Sequence, residues 1–190
     1  MINGNKIFSL ILLMAFCVSA NGQEEPKFTK NSLRYGMALG VLAAQTAEGT
    51  GVIFSVGYQR SMWKGRLRLN PSLSHGTYST ILFSDSEDKF FNTLNLSANI
   101  YLDVIRISAF SLVFGCGGEV NSSYGLERSS GRSAKSDFFA DFNAGAYLGG
   151  GFRINPKDSR TAINIMPLNL RFGKSYYYEY FFSVELEYKF

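Results

Sequence analysis

Residues Tyr180 to Phe190 read Y-F-F-S-V-E-L-E-Y-K-F. From Phe182 onward every second residue is apolar: Phe182, Val184, Leu186, Tyr188 and Phe190. Ser183, Glu185, Glu187 and Lys189 stand between them. Successive side chains on a strand point to opposite sides, so a period of two marks a strand with one dry and one wet face. The run ends on an aromatic residue, where chain termini ordinarily fray and carry polar groups.

The same alternation recurs upstream in segments of about ten residues, the length a tilted membrane strand needs. Leu33 to Val41 sets Leu33, Tyr35, Met37, Leu39 and Val41 against Arg34, Gly36, Ala38 and Gly40. Gly51 to Gln59 sets Val52, Phe54, Val56 and Tyr58 against Ile53, Ser55, Gly57 and Gln59. Arg66 to Tyr78 carries Leu67, Leu69 and Leu73 on one face and Arg66, Arg68, Asn70, Ser72 and Ser74 on the other. Pro71 predicts a local break in its ladder. Thr93 to Leu102 alternates most cleanly, and Ile107 to Asn121 and Phe138 to about Phe152 follow. Ala162 to Phe172 changes phase, with Asn164 in one parity and Asn169 and Arg171 in the other, which predicts a β-bulge at Pro167. With the terminal run this makes eight strands. Short connections (Ser61 to Gly65, Asp103 to Arg106, Asn155 to Arg160) alternate with longer polar ones, Ser79 to Asn92 and Ser122 to Ser136.

An even strand count, short turns opposite longer loops and a final amphipathic strand ending in Phe190 together resemble the small bacterial outer-membrane β-barrels. The whole chain after the amino terminus carries this resemblance, rather than one motif. It implies an all-β, eight-stranded antiparallel up-and-down barrel at residues 33–190, seated in the bacterial outer membrane. It also implies that Tyr188 and Phe190 form the signal read by the barrel-assembly machinery.

The amino terminus reads as a processing segment. Lys6 precedes an apolar run from Ile7 to Val18, too short to span a bilayer, with small-residue cleavage sites at Val18-Ser19-Ala20 and Ala20-Asn21-Gly22. Residues 1–22 are expected to be a secretory signal peptide and 23–32 a periplasmic lead-in. Phe16 before Cys17 disfavours a lipid anchor, and removal of the segment leaves Cys116 as the single cysteine. The net charge of +4 is spread along the chain and points to no nucleic-acid partner.

Alternation alone does not tell which face meets lipid, since a soluble lipocalin-like carrier of an apolar ligand shows the same period. The polar faces hold Gly, Ser, Asn and a few opposite charges, which suits the cramped interior of an eight-stranded barrel. Aromatics at strand ends (Trp63, Tyr78, Phe90, Phe91, Tyr176 to Tyr178, Tyr180) fit two interfacial girdles. Apolar-out is therefore the favoured reading.

Inward charges then fall at matched depths. Arg34, Arg66, Arg68, Glu185 and Glu187 are expected to form an ion network in the periplasmic half of the lumen, because a buried charge is costly unless paired. Asp141 with Arg171 is expected as a second pair nearer the outer end. The only histidine, His75 in Ser74-His75-Gly76-Thr77, falls on the lipid-facing parity. It is a weak match to the His–Ser pair of lipid A deacylases, the Asn that follows in those enzymes being Tyr78 here. Asp85 to Asp88 matches no calcium loop, and Gly149 to Gly151 precede no helix and so cradle no phosphate. Glu127, Arg128, Arg132 and Lys135 make a basic outer loop. The sequence thus points to a structural or porin-like barrel without cofactor, metal or catalytic residues. It is expected to be monomeric, with outer-membrane lipid and lipopolysaccharide as its surroundings. The soluble carrier is the alternative and a lipid A-modifying enzyme the minor one.

Overall fold

The structure is a computed structural model that describes residues 30–44, 48–80, 89–128, 136–156, 159–174 and 177–190. The signal peptide at 1–22, most of the lead-in and the acidic cluster Asp85 to Asp88 lie outside the described residues. Eight strands close into one antiparallel barrel in sequence order. They are β1 (Asn31–Ala43), β2 (Glu48–Met62), β3 (Leu67–Ser79), β4 (Lys89–Ile107), β5 (Phe110–Arg128), β6 (Ser136–Ile154), β7 (Thr161–Gly173) and β8 (Tyr178–Lys189). The first strand starts at Asn31, so the expected lead-in ends two residues early.

The registers fix the geometry of closure. The ladder from Asn31 runs through Arg60, Leu69, Ile100, Cys116, Leu148, Leu170 and Tyr180, and re-enters β1 at Val41. One circuit therefore climbs ten residues along β1 (41 minus 31). That stagger over eight strands corresponds to strands tilted by roughly 40° to the barrel axis.

Sidedness follows the alternation. Tyr35, Met37, Leu39 and Val41 on β1 are exposed, as are Phe182, Val184, Leu186 and Tyr188 on β8. Between them Arg34 and Ala38, Phe181, Ser183 and Glu187 are buried. Apolar side chains thus face out all the way round, the opposite of a carrier that stores an apolar ligand inside.

Both predicted irregularities have a physical form. Opposite Pro71 the β2–β3 ladder skips from Gly57–Ser72 to Arg60–Leu69. Pro71 has no N–H, and the side-chain amide of Asn70 donates instead to the Tyr58 carbonyl at 2.8 Å. At β7, Pro167 and Leu168 stand opposite the single residue Phe182, a bulge that flips the parity. The Asn169 amide fills it by donating to the carbonyls of Met166 at 2.7 Å and Phe181 at 3.0 Å.

The strand lengths differ from expectation. β4, β5 and β6 are each 19 residues long, so the polar stretches read as loops after Ser79 and from Ser122 are partly strand. Once backbone pairing is established it continues wherever the partner strand continues. The girdle assignments also need correction. Tyr78, Phe91 and Tyr177 are buried inside the barrel, where Tyr78 stacks on Phe91 with ring centroids 5.2 Å apart. The reason is parity: Tyr78 shares its face with Ser72 and Ser74, and Phe91 shares its face with Thr93 and Asn95. Trp63, Phe90, Tyr178 and Tyr180 do face outward. Tyr176 lies outside the described residues.

Candidate functional site

The inward faces bring charges together at two levels of the lumen. In the lower cluster, Asp103 of β4 accepts from Arg68 of β3 at 2.5 Å and from Arg106 at 2.8 Å, with Arg153 of β6 3.8 Å away. Arg153 also donates from Nε and Nη2 to the two carboxylate oxygens of Glu187 on β8, each at 3.0 Å. Arg34 pairs with Glu185, and its guanidinium lies 4.4 Å over the ring of Tyr101. Arg106 donates to the carbonyls of Lys64 and Gly65 as well, tying the β2–β3 turn to β4.

The upper cluster centres on Arg171 of β7. It meets Glu179 of β8 at 2.6 Å, Glu119 of β5 at 2.9 Å and the Ser74 hydroxyl at 3.2 Å. Tyr78 and Tyr177 both donate to the Glu179 carboxylate. Above and around this sit Leu42, Ile53, Phe91, Phe139 and Phe181, part of one buried apolar cluster. Between the two levels lies a cavity of about 30 Å³ lined by Arg34, Asn70, Asn99, Tyr147, Arg171 and Glu185 among others.

Of the expected network, Arg34, Arg68, Glu185 and Glu187 lie in the lower cluster. Arg34 and Glu187 are opposite one another across β1 and β8, yet Arg34 reaches diagonally to Glu185 and Glu187 turns to Arg153. Arg66 does not join them. It follows the turn Trp63–Gly65, has helical backbone angles (φ −78, ψ −37) and is exposed, because alternation only begins at Leu67. Asp141 is likewise not the partner of Arg171. The β6–β7 ladder begins at Gly145, four residues from Asp141 along the strand (145 minus 141), and Arg171 stands opposite Tyr147. Glu119 and Glu179 take that role.

Asp103, Arg106, Arg153, Glu119 and Glu179 are the members that sequence reasoning missed. The sequence reading puts Asp103 and Arg106 in a turn and Arg153 and Glu179 beyond strand ends. Glu119 lies within the expected strand Ile107 to Asn121 but has no named partner there. Strand alternation extended past Leu102 and Phe152 finds Asp103 and Arg153.

His75 is exposed on the outer face, opposite Phe54 on β2 and Leu94 on β4, with no carboxylate beside it in either register. Cys116 is free and exposed on the outer face. No group of three or more metal-binding side chains occurs among the described residues. The side chains of Glu127, Arg128, Arg132 and Lys135 lie outside them.

The closed eight-strand circuit with an apolar exterior decides the fold when it is set beside solved structures. NspA, the Neisserial surface protein A, superposes with a TM-score of 0.61 at 10% identity, covering 84% of this chain and 97% of NspA. The fold is that of a small outer-membrane β-barrel. Ail, the attachment invasion locus protein of Yersinia pestis, gives 0.57 at 13% identity over 85% of this chain and 99% of Ail. A major outer membrane protein from Thermus thermophilus gives 0.50 at 10% identity over 84% of this chain and 99% of that one. No protein-family model and no curated protein sequence matches the chain. At these identities the likeness is one of fold. The location follows from the barrel's own surface. Exposed Leu, Val, Ile, Phe and Tyr side chains ring all eight strands, and only closed barrels and helices satisfy their backbone in lipid. This outer-membrane barrel carries the ends of β1 and β8 nearest the termini on the same side as the short turn Trp63–Gly65.

Proposed function

We propose that this protein is a non-conducting, non-enzymatic outer-membrane barrel whose lumen serves as a structural plug and whose outer loops meet the cell's surroundings. One observation supports the reading: buried side chains meet across the interior at two heights, in the Asp103–Arg153–Glu187 cluster below and in Tyr78, Phe91 and Phe181 around Arg171 above. An interior of this width is filled by its side chains, and hydrated ions have no continuous path through it. The charges also hold strands in register. Arg153 on β6 with Glu187 on β8, and Arg171 on β7 with Glu119 on β5, each join strands that are not neighbours.

The end that carries the termini and short turns faces the periplasm. The lipid contact is outer-membrane lipid around the belt and lipopolysaccharide at the rim, with the basic sequence between β5 and β6 suited to its phosphates. The barrel works as a monomer and is inserted by the assembly machinery, which reads Tyr188 and Phe190. Both side chains are exposed on the outer face near the end of the chain, which supports that reading. Residues 1–22 are the export signal and 23–30 a linker ahead of the barrel.

The test is conductance. Purified protein in a planar lipid bilayer, shown to be folded by its heat-dependent gel mobility, is expected to give no current steps. Steady ion-selective steps that survive repurification would replace the plug with a pore.

A further inference from the structure

The apolar wall of the barrel is taller on one side than on the other. On β1 the outward apolar row runs from Leu33 to Val41, and on β8 from Tyr188 to Tyr178. Those rows span eight and ten residues (41 minus 33, 188 minus 178). At about 2.5 Å of axial rise per tilted residue they cover about 20–25 Å, the height of a barrel's lipid-facing band. On β4, β5 and β6 the outward apolar side chains continue to Phe90, Leu126 and Phe138. From Ile154 to Phe138 is sixteen residues (154 minus 138), about 40 Å by the same rise. These three residues face one another across the strands, Phe90 opposite Leu126 and Leu126 opposite Phe138, with Phe142 further down the same face of β6. Phe138 and Phe142 are 68% and 72% exposed, more than almost any other apolar side chain of the barrel.

We propose that this raised wall is covered by lipid acyl chains, so that the outer leaflet is drawn up locally against β4–β6. The proposal rests on the membrane reading above. Its occupant follows from continuity. On β6, Leu148, Ala146, Ala144, Phe142, Ala140 and Phe138 form an outward row with no polar residue from mid-membrane to Phe138, two residues short of the strand tip. On β4 the row passes Asn92, but that amide oxygen already accepts from the Thr77 hydroxyl at 3.0 Å, so its contact with chains leaves that acceptor satisfied. Above Gly145 β6 has no ladder pair with β7, so the acyl chains cover the outward face of this wall and not that edge. A wall taller than the bilayer is accommodated by tilt or by local thickening.

The experiment uses tryptophan fluorescence, because Trp63 is the only tryptophan. In a Trp63→Phe background, Phe138→Trp and Phe182→Trp are placed separately and reconstituted in phosphatidylcholine vesicles, with or without bromine on the acyl chains. Folding is checked by heat-dependent mobility. Bromine is expected to quench most of the emission at both positions, with iodide in the buffer leaving it unchanged. Quenching at position 138 by iodide and not by bromine would overturn the raised wall while leaving the barrel in its membrane. Shielding at 138 from both quenchers that grows with protein density would overturn it in favour of a second copy. Loss of bromine quenching at position 182 would instead sink the membrane reading itself. As a second readout, Leu126→Ser with Phe138→Ser is expected to shift the optimum for vesicle insertion toward shorter acyl chains. An unchanged chain-length optimum would also overturn the proposal.

Discussion

Arg153 on β6 holds the carboxylate of Glu187 with two hydrogen bonds of 3.0 Å, reaching β8, a strand that β6 does not pair with. Both side chains are buried. Removing one partner leaves the other as an uncompensated charge. Glu187→Ala is therefore expected to destabilise the barrel by about 3–5 kcal/mol, and the volume-matched double replacement Arg153→Met with Glu187→Leu by much less. Urea unfolding in lipid vesicles reads both. Equal losses for single and double variants would mean that the pair adds little to register.

Two neighbouring arginines separate the turn from the lumen. Arg68 is 1% exposed and bonds Asp103 at 2.5 Å, whereas Arg66 is exposed at the end of the β2–β3 turn. Arg68→Ala leaves Asp103 to Arg106 and Arg153 and opens a hole, for an expected cost of about 3 kcal/mol or more. Arg66→Ala is expected to fall within about 0.5 kcal/mol of the parent. The same unfolding assay ranks them, and a large effect at Arg66 would place its side chain back in the network.

How far the sequence carried can be read from these residues. Alternation in Phe182 to Phe190 and its seven counterparts carries the eight strands, and the Gly, Ser and Asn of the opposite faces carry which side meets lipid. The phase change between Asn164 and Asn169 was enough for a bulge. Parity also held the correct answer for Tyr78, which shares the even positions of Arg68, Ser72 and Ser74. The habit of placing aromatics in girdles outweighed it. Pairing partners were less legible, because a charge reaches diagonally across the lumen. Arg34 faces Glu187 in register yet bonds Glu185, and nothing in a period of two distinguishes those choices. Strand ends were least legible, since β4 continues through Asp103 and β6 through Arg153 by pairing with long neighbours rather than by their own composition.

Asn70 stands in for a backbone donor. Its amide gives the Tyr58 carbonyl the hydrogen bond that Pro71 lacks, in a stretch where no ladder pair joins β2 to β3. Asn70→Ala leaves that carbonyl unpaired near the lumen and is expected to cost about 1–3 kcal/mol. Asn70→Ala with Pro71→Thr returns a backbone N–H at the gap and is expected to recover a substantial part of the loss. Failure of the second change to recover any stability would show that Asn70 acts through packing against Gly57 instead.

Cys116 reports the sidedness of the whole barrel. It stands between Ile100 on β4 and Leu148 on β6, all three outward, near the middle of the lipid-facing band. A thiol there meets hydrocarbon, where a charged maleimide does not penetrate. Folded protein in vesicles is therefore expected to resist a charged, membrane-impermeant maleimide, to react with an uncharged lipid-soluble one, and to react with both after unfolding in urea. A control Cys at position 66, introduced as Arg66→Cys in a Cys116→Ala background, is expected to react with the charged reagent from the side of the short turns. Rapid labelling of Cys116 by the charged reagent in folded protein would mean that its face meets water, and the lipid-facing assignment of β4 to β6 would fall with it.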